Sequence, residues 1–418
     1  MNTSVVYYIA REKAIKIFSR RKGSIMRTVG TVARGVRAPL IKAGDDMASI
    51  VVDSILTASK EEGFALRDRD VVAVTEAVVA RAQGNYASCA QIAADVRAKF
   101  PGGELAITFP ILSRNRFANI LKGIAQGCGK LTIVLSYPAD EVGNALLSWD
   151  AIDAAGVNPY TDILTEEDYR EKFGYETKHV FTGMDYVEYY KAFGEHVEIV
   201  FANDVRSALR FTKNVLCCDI HSRARSKRLL REAGAETVFG LDDILSAPVN
   251  GSGYNEQYGL LGSNKSTEDS VKLFPRDGQP LAEEIARRLR EATGKQVEAM
   301  IYGDGAFKDP VGHIWELADP VVSPAFTPGL LGTPSELKLK LLLDNELAGK
   351  SEEEARAAIK AKADNLEAKA DGPAGRALGT TPRRYTDLLG SLCDLVSGSG
   401  DKGTPIVLIQ GYFDNFAS

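Results

Sequence analysis

The chain is poor in cysteine. Its 418 residues include five (Cys89, Cys128, Cys217, Cys218 and Cys393), odd in number and without a C-x-x-C pair. That pattern excludes a zinc ribbon, a thioredoxin-type motif and a disulfide framework, so the thiols read as reduced and mostly buried. No apolar run approaches the roughly 20 residues needed to cross a bilayer, and the first residues lack an apolar signal-peptide core, so a cytoplasmic location is expected. Positive charge is not in excess. Against 51 Lys and Arg stand 56 Asp and Glu, a net charge of -5, which predicts neither nucleic acid nor membrane as a partner. The basic segment Arg11–Ser24, interleaved with Ile15, Ile17 and Phe18, can be read as a short amphipathic surface helix, but an extension over residues 1–25 that packs on the domain or frays is the plainer reading. Two phosphate motifs are also missing. No G-x-G-x-x-G follows a strand-like run, which argues against a dinucleotide-dependent dehydrogenase, and G-x-x-x-x-G-K-[ST] does not occur, which argues against a P-loop fold.

The length, with 44% hydrophobic and 26% charged residues, predicts two or more domains and a large buried core. Thr28 to Gly84 alternates strand and helix. A strand is expected over Thr28–Val36, a helix over Met47–Leu56, a strand over Val71–Val74 and a second helix after it. Asp45 or Asp46 is placed to cap the first helix. From Ala87 to about Asn250, short apolar runs such as LAITFPIL, KLTIVLSYP, VEIVFAND and KNVLCCDIHS alternate with helical stretches, the pattern of a parallel or mixed sheet covered by helices. From Gly251 the character changes to three glycine-rich loops, GSGYNEQYGLLGSN, YGDGAFKDP and SGSGDKGTP. Leu281, Ile285, Leu289 and Ala292 share one face of a helix over 281–293. Pro334–Lys369, rich in Lys, Glu and Ala, reads as a solvated antiparallel helical pair.

Several places could carry chemistry. Asp304 follows the apolar run Val297–Ile301 between two glycines, and Asp309 comes five residues later. Two carboxylates on such a turn can hold a hard divalent cation that completes its shell with water and phosphate oxygens; Asp-Gly is equally common in plain turns. His313 lies close enough in sequence to reach the same place. Ser397–Gly403 offers consecutive backbone N–H groups, hydroxyls and a lysine, as a phosphate-cradling loop or a flexible connection would. His221 reads as a structural histidine. Ser113-Arg114-Asn115-Arg116 and Ser136–Glu141 each follow a strand-like run, where open α/β sheets bind ligands, and the two arginines suit an anionic acceptor; caps and surface ion pairs are the plainer reading.

PLIKAGDD (Pro39–Asp46), DRDVVAVTEAVVARAQG, GLLGSN (Gly259–Asn264), ATGKQVEAMIYGDG and GSGDKGTPIVLIQGY together resemble the coenzyme F-420-0:L-glutamate ligase (gamma-glutamyl ligase) family over less than half of the chain. The resemblance implies a mixed α/β and α+β fold: two intertwined α+β domains of a homodimer, plus an inserted α/β region. The expected division is the extension 1–25, an N-terminal part 26–86, the insertion 87–250 and a C-terminal part 251–418 with a helical segment 334–369. It also implies an amide-forming ligase that uses GTP, with ATP as the alternative, and Mg²⁺ or Mn²⁺. Such an enzyme adds L-glutamate to a small-molecule carboxylate acceptor, coenzyme F-420-0 or else a folate or other metabolite, through an acyl phosphate. By the same resemblance Leu40, Ile41, Lys42 and Asn264 contact the nucleotide. Arg81 stands where the family has lysine, Asp304 with Asp309 holds metal, and Ser399, Gly400 and Asp401 belong to a loop that closes on the nucleotide. Lys42, Arg81 and Asp304 are the expected catalytic centre. Two positions depart from the pattern: Leu261 replaces a metal aspartate of the family, and Gly305 replaces a threonine. A nucleotide-binding protein without ligase activity is therefore the rival.

Overall fold

The structure is a computed structural model that describes residues 29–414 apart from 176, 180–181, 304–306, 309–314, 317–322, 335–337, 368–383 and 398–401. The expected N-terminal extension lies outside these. Along the chain the first elements are β1 (Val32–Val36), α1 (Met47–Glu61), β2 (Val71–Thr75), α2 (Glu76–Ala82), β3 (Tyr86–Ser88) and α3 (Cys89–Lys99). There follow β4 (Glu104–Thr108), α4 (Ala118–Gly127), β5 (Lys130–Leu135), α5 (Trp149–Ala154), β6 (Leu164–Thr165), α6 (Glu166–Phe173) and α7 (Tyr186–Lys191). Next are β7 (Val197–Phe201), β8 (Asn214–Cys217), α8 (Arg223–Glu232), β9 (Thr237–Gly240), β10 (Asn264–Thr267) and β11 (Ser270–Lys272). The remainder comprises α9 (Gly278–Thr293), β12 (Glu298–Tyr302), β13 (Phe307–Lys308), β14 (Trp315–Glu316), β15 (Ala325–Phe326), α10 (Leu339–Asp344), α11 (Glu352–Glu367), α12 (Tyr385–Ser397) and β16 (Ile406–Gln410). Strands and helices mix as the α/β and α+β reading expects.

The chain divides into two compact units, Arg34–Leu331 with Thr386–Leu408, and Gly332–Tyr385 with the two chain ends. In the smaller unit, Leu347, Ala355 and Ile359 make a small core along α10 and α11, and Tyr385 packs edge-on against Phe413 at 5.1 Å.

The larger unit is organised by two sheets. The first has the order β1-β16-β2-β12-β15. β2 reads VVAVT and β16 reads IVLIQ, unbroken apolar runs that are buried almost throughout, as expected for inner strands covered on both faces. β2 and β12 run parallel from Val71 opposite Glu298 to Thr75 opposite Tyr302. α1 and α9 cover one face, where Val51, Val52 and Ile55 meet Ala282, Ile285 and Leu289 over Val72, Val74 and Ile301. α1 begins where the Asp46 carboxylate accepts from the Ser49 N–H at 3.2 Å and the Ser49 hydroxyl at 2.7 Å. It runs five residues past Leu56, to Glu61. The last apolar residue had marked the expected end, but the polar TASKE tail has helical propensity of its own and continues the helix.

The second sheet is strung between β2 and β12, with the order β6-β7-β5-β4-β8-β9. Apart from the antiparallel edge strand β6, its neighbours all pair in parallel. Numbered by its parallel strands, the order is 3-2-1-4-5, a doubly wound arrangement that reverses direction between β4 and β8. α4 packs on α3 at backbone distance because of two glycines. A Cβ at Gly123 would come 2.7 Å from the Ile92 Cβ, and one at Gly127 would come 2.8 Å from the Val96 Cβ. The antiparallel trio β10-β11-β3 joins the two regions. All five cysteines are free thiols, four of them buried. Burial pushes Cys217 up to about 12 and Cys128 up to about 11, which makes neither a nucleophile at neutral pH. Among the described residues no helix is long and apolar enough to cross a membrane.

Candidate functional site

The loop between β1 and α1 is built by its own acidic residues. The Asp45 carboxylate accepts from the Lys42 N–H at 2.6 Å, closing a turn in which Gly44 takes φ +91°, while Asp46 caps α1. The loop is then tied to the carboxyl end of α2. The Gly44 N–H donates to the Ala82 carbonyl at 2.8 Å, and the Arg81 Nε–H donates to the Ile41 carbonyl at 2.6 Å. Ile41 anchors the loop in the core at 6% exposure, whereas Leu40 is 91% exposed and Lys42 and Arg81 face solvent. Four residues singled out in the sequence, Leu40, Ile41, Lys42 and Arg81, thus come together at one loop, with the Arg81 side chain clamped to its backbone. The terminal guanidinium nitrogens of Arg81 take no partner among the described residues, which leaves them for an anion.

At the other end of α2, about 10 Å away by the rise per residue, Glu76 is buried and receives the Lys272 ammonium at 2.5 Å. The carboxylate lies in the first turn of α2, where the helix dipole favours it. Lys272 is the cross-strand partner of Asn264, so Asn264 is placed at the Glu76 end of α2, apart from the Lys42–Arg81 pair. Sequence reading missed the Glu76–Lys272 pair. Its one signal was a carboxylate directly after a fully apolar strand. Beyond α2, Asn85 is a junction: its side-chain N–H groups donate to the carbonyls of Tyr254 and Phe274, and its oxygen accepts from the Tyr254 N–H and from Arg276.

Tyr302, opposite Thr75, is the second residue before Asp304. Asp304, Gly305, Asp309, His313, Ser399, Gly400 and Asp401 all lie outside the described residues. Among the described residues no group of three or more His, Cys, Asp or Glu side chains is placed to hold a metal ion. Leu261, at the position expected to carry an aspartate in the family, is 3% exposed and belongs to the apolar core of the six-stranded region. It lines a small gap with Ile111, Phe117, Cys218 and Ile220, beyond the carboxyl ends of β4 and β8.

That crevice is the switch point of the doubly wound sheet, yet most of its charged groups are engaged by the chain itself, one oxygen of the buried Asp219 carboxylate being left without a partner. Glu141 reaches across from the end of β5 to the N–H groups of Ile220 and His221. Asp140 is buried and accepts from the N–H groups of Leu112 at 2.8 Å, Val142 at 3.1 Å and Asn144 at 2.8 Å. Burial raises its pKa while these bonds oppose the shift. Asp219 is fully buried, holds the hydroxyls of Ser222 and Ser226, and is likewise raised by burial. Arg114 is exposed. His221, expected to be a structural histidine, is exposed and takes part through its backbone N–H. Where dinucleotide-binding halves have a glycine turn after the first strand, this chain has Phe109, at φ +54°, followed by Pro110. A backbone so covered cannot approach a pyrophosphate closely.

Among known families, the model described as F420-0:Gamma-glutamyl ligase aligns with residues 35–411. It therefore brackets the six-stranded region as well, and extends far beyond the separate motifs that carried the resemblance. No curated protein sequence matches the chain.

Proposed function

Because the chain belongs to the F420-0:gamma-glutamyl ligase family, we propose that it is a nucleotide-dependent ligase that joins L-glutamate by an amide bond to a carboxylate acceptor such as coenzyme F-420-0. The nucleotide is GTP, with ATP as the alternative, and the working form is a homodimer. The acceptor carboxylate takes the terminal phosphoryl group and the nucleoside diphosphate leaves. The glutamate amine then adds to the acyl carbon, phosphate departs, and the amine proton passes to solvent. The chain's part is to position two anions, neutralise phosphate charge and keep water from the acyl phosphate.

The observation that supports this most is the clamp of Arg81 on the Ile41 carbonyl, which brings the Arg81 guanidinium to the exposed loop that carries Lys42. Both suit phosphate oxygens. Asp304 and Asp309 supply the hard oxygen donors that Mg²⁺ or Mn²⁺ takes, and the metal when bound would neutralise phosphate charge. With Leu261 in the core, such a site has one protein carboxylate fewer than the resemblance implies. That observation also favours the second reading, a nucleotide-binding protein without ligase activity.

The test is glutamate-dependent phosphate release from GTP and ATP, with Mg²⁺ or Mn²⁺, and with F-420-0 and reduced folates offered as acceptors. A product heavier by one glutamyl unit is expected. Nucleotide binding with no glutamylated product from any acceptor would sink the ligase and leave the second reading.

A further inference from the structure

The segment that follows the clamp, Gln83–Asn85, is hydrogen-bonded to one wall of a separate groove of about 290 Å³, whose lining includes Tyr254, Glu256, Tyr258, Arg276, Asp277 and Gln279. Its walls are fixed before any ligand arrives. The Arg276 N–H donates to the Gln83 side-chain oxygen at 2.8 Å, and the Gln83 amide donates back to the Arg276 carbonyl at 2.5 Å. The Arg276 guanidinium bonds the Asn85 oxygen through one terminal nitrogen and lies 4.6 Å over the Tyr254 ring. Asn255 holds the facing turn, donating to the Phe274 and Pro275 carbonyls and accepting from the N–H groups of Gln257 and Tyr258. Gly253 is required by this packing, since a Cβ there would come 2.7 Å from the Tyr86 nitrogen.

The groove carries charges of both signs. The Nε–H of Arg276 and its second terminal nitrogen take no partner among the described residues, so they remain available as donors. The 16-residue helix α9 begins at Gly278 with no side-chain cap from Asp277, which adds partial positive charge at the same place. Glu256 and Asp277, both exposed, supply the negative charge at the rim. The volume lies at the bottom of the range for ligand pockets, roughly 300–1,000 Å³, too small for a nucleotide or a deazaflavin. A small zwitterion fits both the size and the charge pattern. Its place is also suited to the chemistry: Gly84 backs onto the clamped loop, its Cβ position 3.6 Å from that of Ala43.

We propose that this groove holds the L-glutamate substrate, with Arg276 and the first turn of α9 receiving its carboxylates and Asp277 with Glu256 receiving its ammonium group. The assignment rests on the ligase reading for the identity of the amino acid, and on the groove for the residues.

Equilibrium dialysis of radiolabelled L-glutamate against the full chain, with and without GTP and Mg²⁺, tests it, with glutarate as a ligand that lacks the amine. Asp277→Asn and Glu256→Gln act at exposed rim positions, and asparagine tolerates the left-handed backbone at 277 (φ +52°). Together they are expected to weaken glutamate binding about tenfold or more while leaving glutarate unchanged. Arg276→Lys should weaken both ligands. Absence of glutamate binding by the parent under either condition, or unaltered glutamate affinity in all the variants, would overturn the assignment. Glutamate bound through these residues without glutamylation of any acceptor would keep the groove and lose the ligase. A working ligase whose glutamate KM is unmoved by the variants would keep the ligase and lose the groove.

Discussion

The two sheets of the larger unit treat their carboxyl ends differently. At the end of β2, helix α2 carries Arg81 outward with donors to spare, beside the exposed Lys42. At the ends of β4, β5 and β8, the carboxylates of Asp140 and Glu141 and one oxygen of Asp219 are taken up by backbone N–H groups and serine hydroxyls, and Leu261 fills part of the crevice between them. A doubly wound strand order is therefore not in itself a ligand site. The backbone and charged groups at its switch point must also remain available, and here they are used to close the loops.

That contrast can be broken most severely at Leu261. Leu261 is a core residue, so Leu261→Asp places a charge in an apolar cluster without a partner and should cost at least about 3 kcal/mol, read from the urea unfolding midpoint. A variant of parental stability that gained a second bound metal would show instead that the position still faces the nucleotide. Lys272→Met examines the other sheet. It strands the Glu76 carboxylate, and a loss of about 3–5 kcal/mol is expected. Adding Glu76→Gln should return much of that loss, because the stranded charge is then gone. Unchanged stability in the single variant would mean that Glu76 is already neutral in the folded chain.

A smaller effect compares the arginines of the two regions. Arg81→Ala should weaken binding of a fluorescent GTP analogue by roughly tenfold or more, the loss of a charge-assisted contact of about 1.5–3 kcal/mol, whereas Arg114→Ala should leave it unchanged. Equal losses from both would move the nucleotide toward the six-stranded sheet.

The mildest test uses pH. Burial raises the Asp219 pKa above its ordinary 3.8, so the folded chain favours the protonated form. Its contribution to stability is complete below pH 3.8 and is lost as pH climbs through the raised value. Asp219→Asn does not ionise, so its stability relative to the parent should improve from acid to neutral pH. A difference that stays flat with pH would mean that Asp219 is not buried as described.

Much of the scaffold was legible because its signals are local. Asp46 ahead of Met47 marks a helix start, VVAV an inner strand, and the spacing of Leu281, Ile285 and Leu289 a helix face. The structure begins that helix at Gly278, three residues before the first apolar position, since the first turn faces the groove rather than the core. Helices at Leu339–Asp344 and Glu352–Glu367 fall within the expected Pro334–Lys369 segment. The loop at Leu40–Lys42 and Arg81 were named from their motifs, but the hydrogen bond joining them spans 40 residues, and no periodicity predicts such a bond.

The sequence by itself determined the elements and their class, because capping, strand burial and helical spacing depend on residues a few positions apart. Only the tertiary structure decided which of those elements share a site. Glu76 meets Lys272 across 196 residues, and Asn85 meets Arg276 across 191. Such pairs form when a sheet closes and buries polar groups that must then find partners. The same closure turned Leu261 inward, placing a position that resembles a metal ligand in the apolar core.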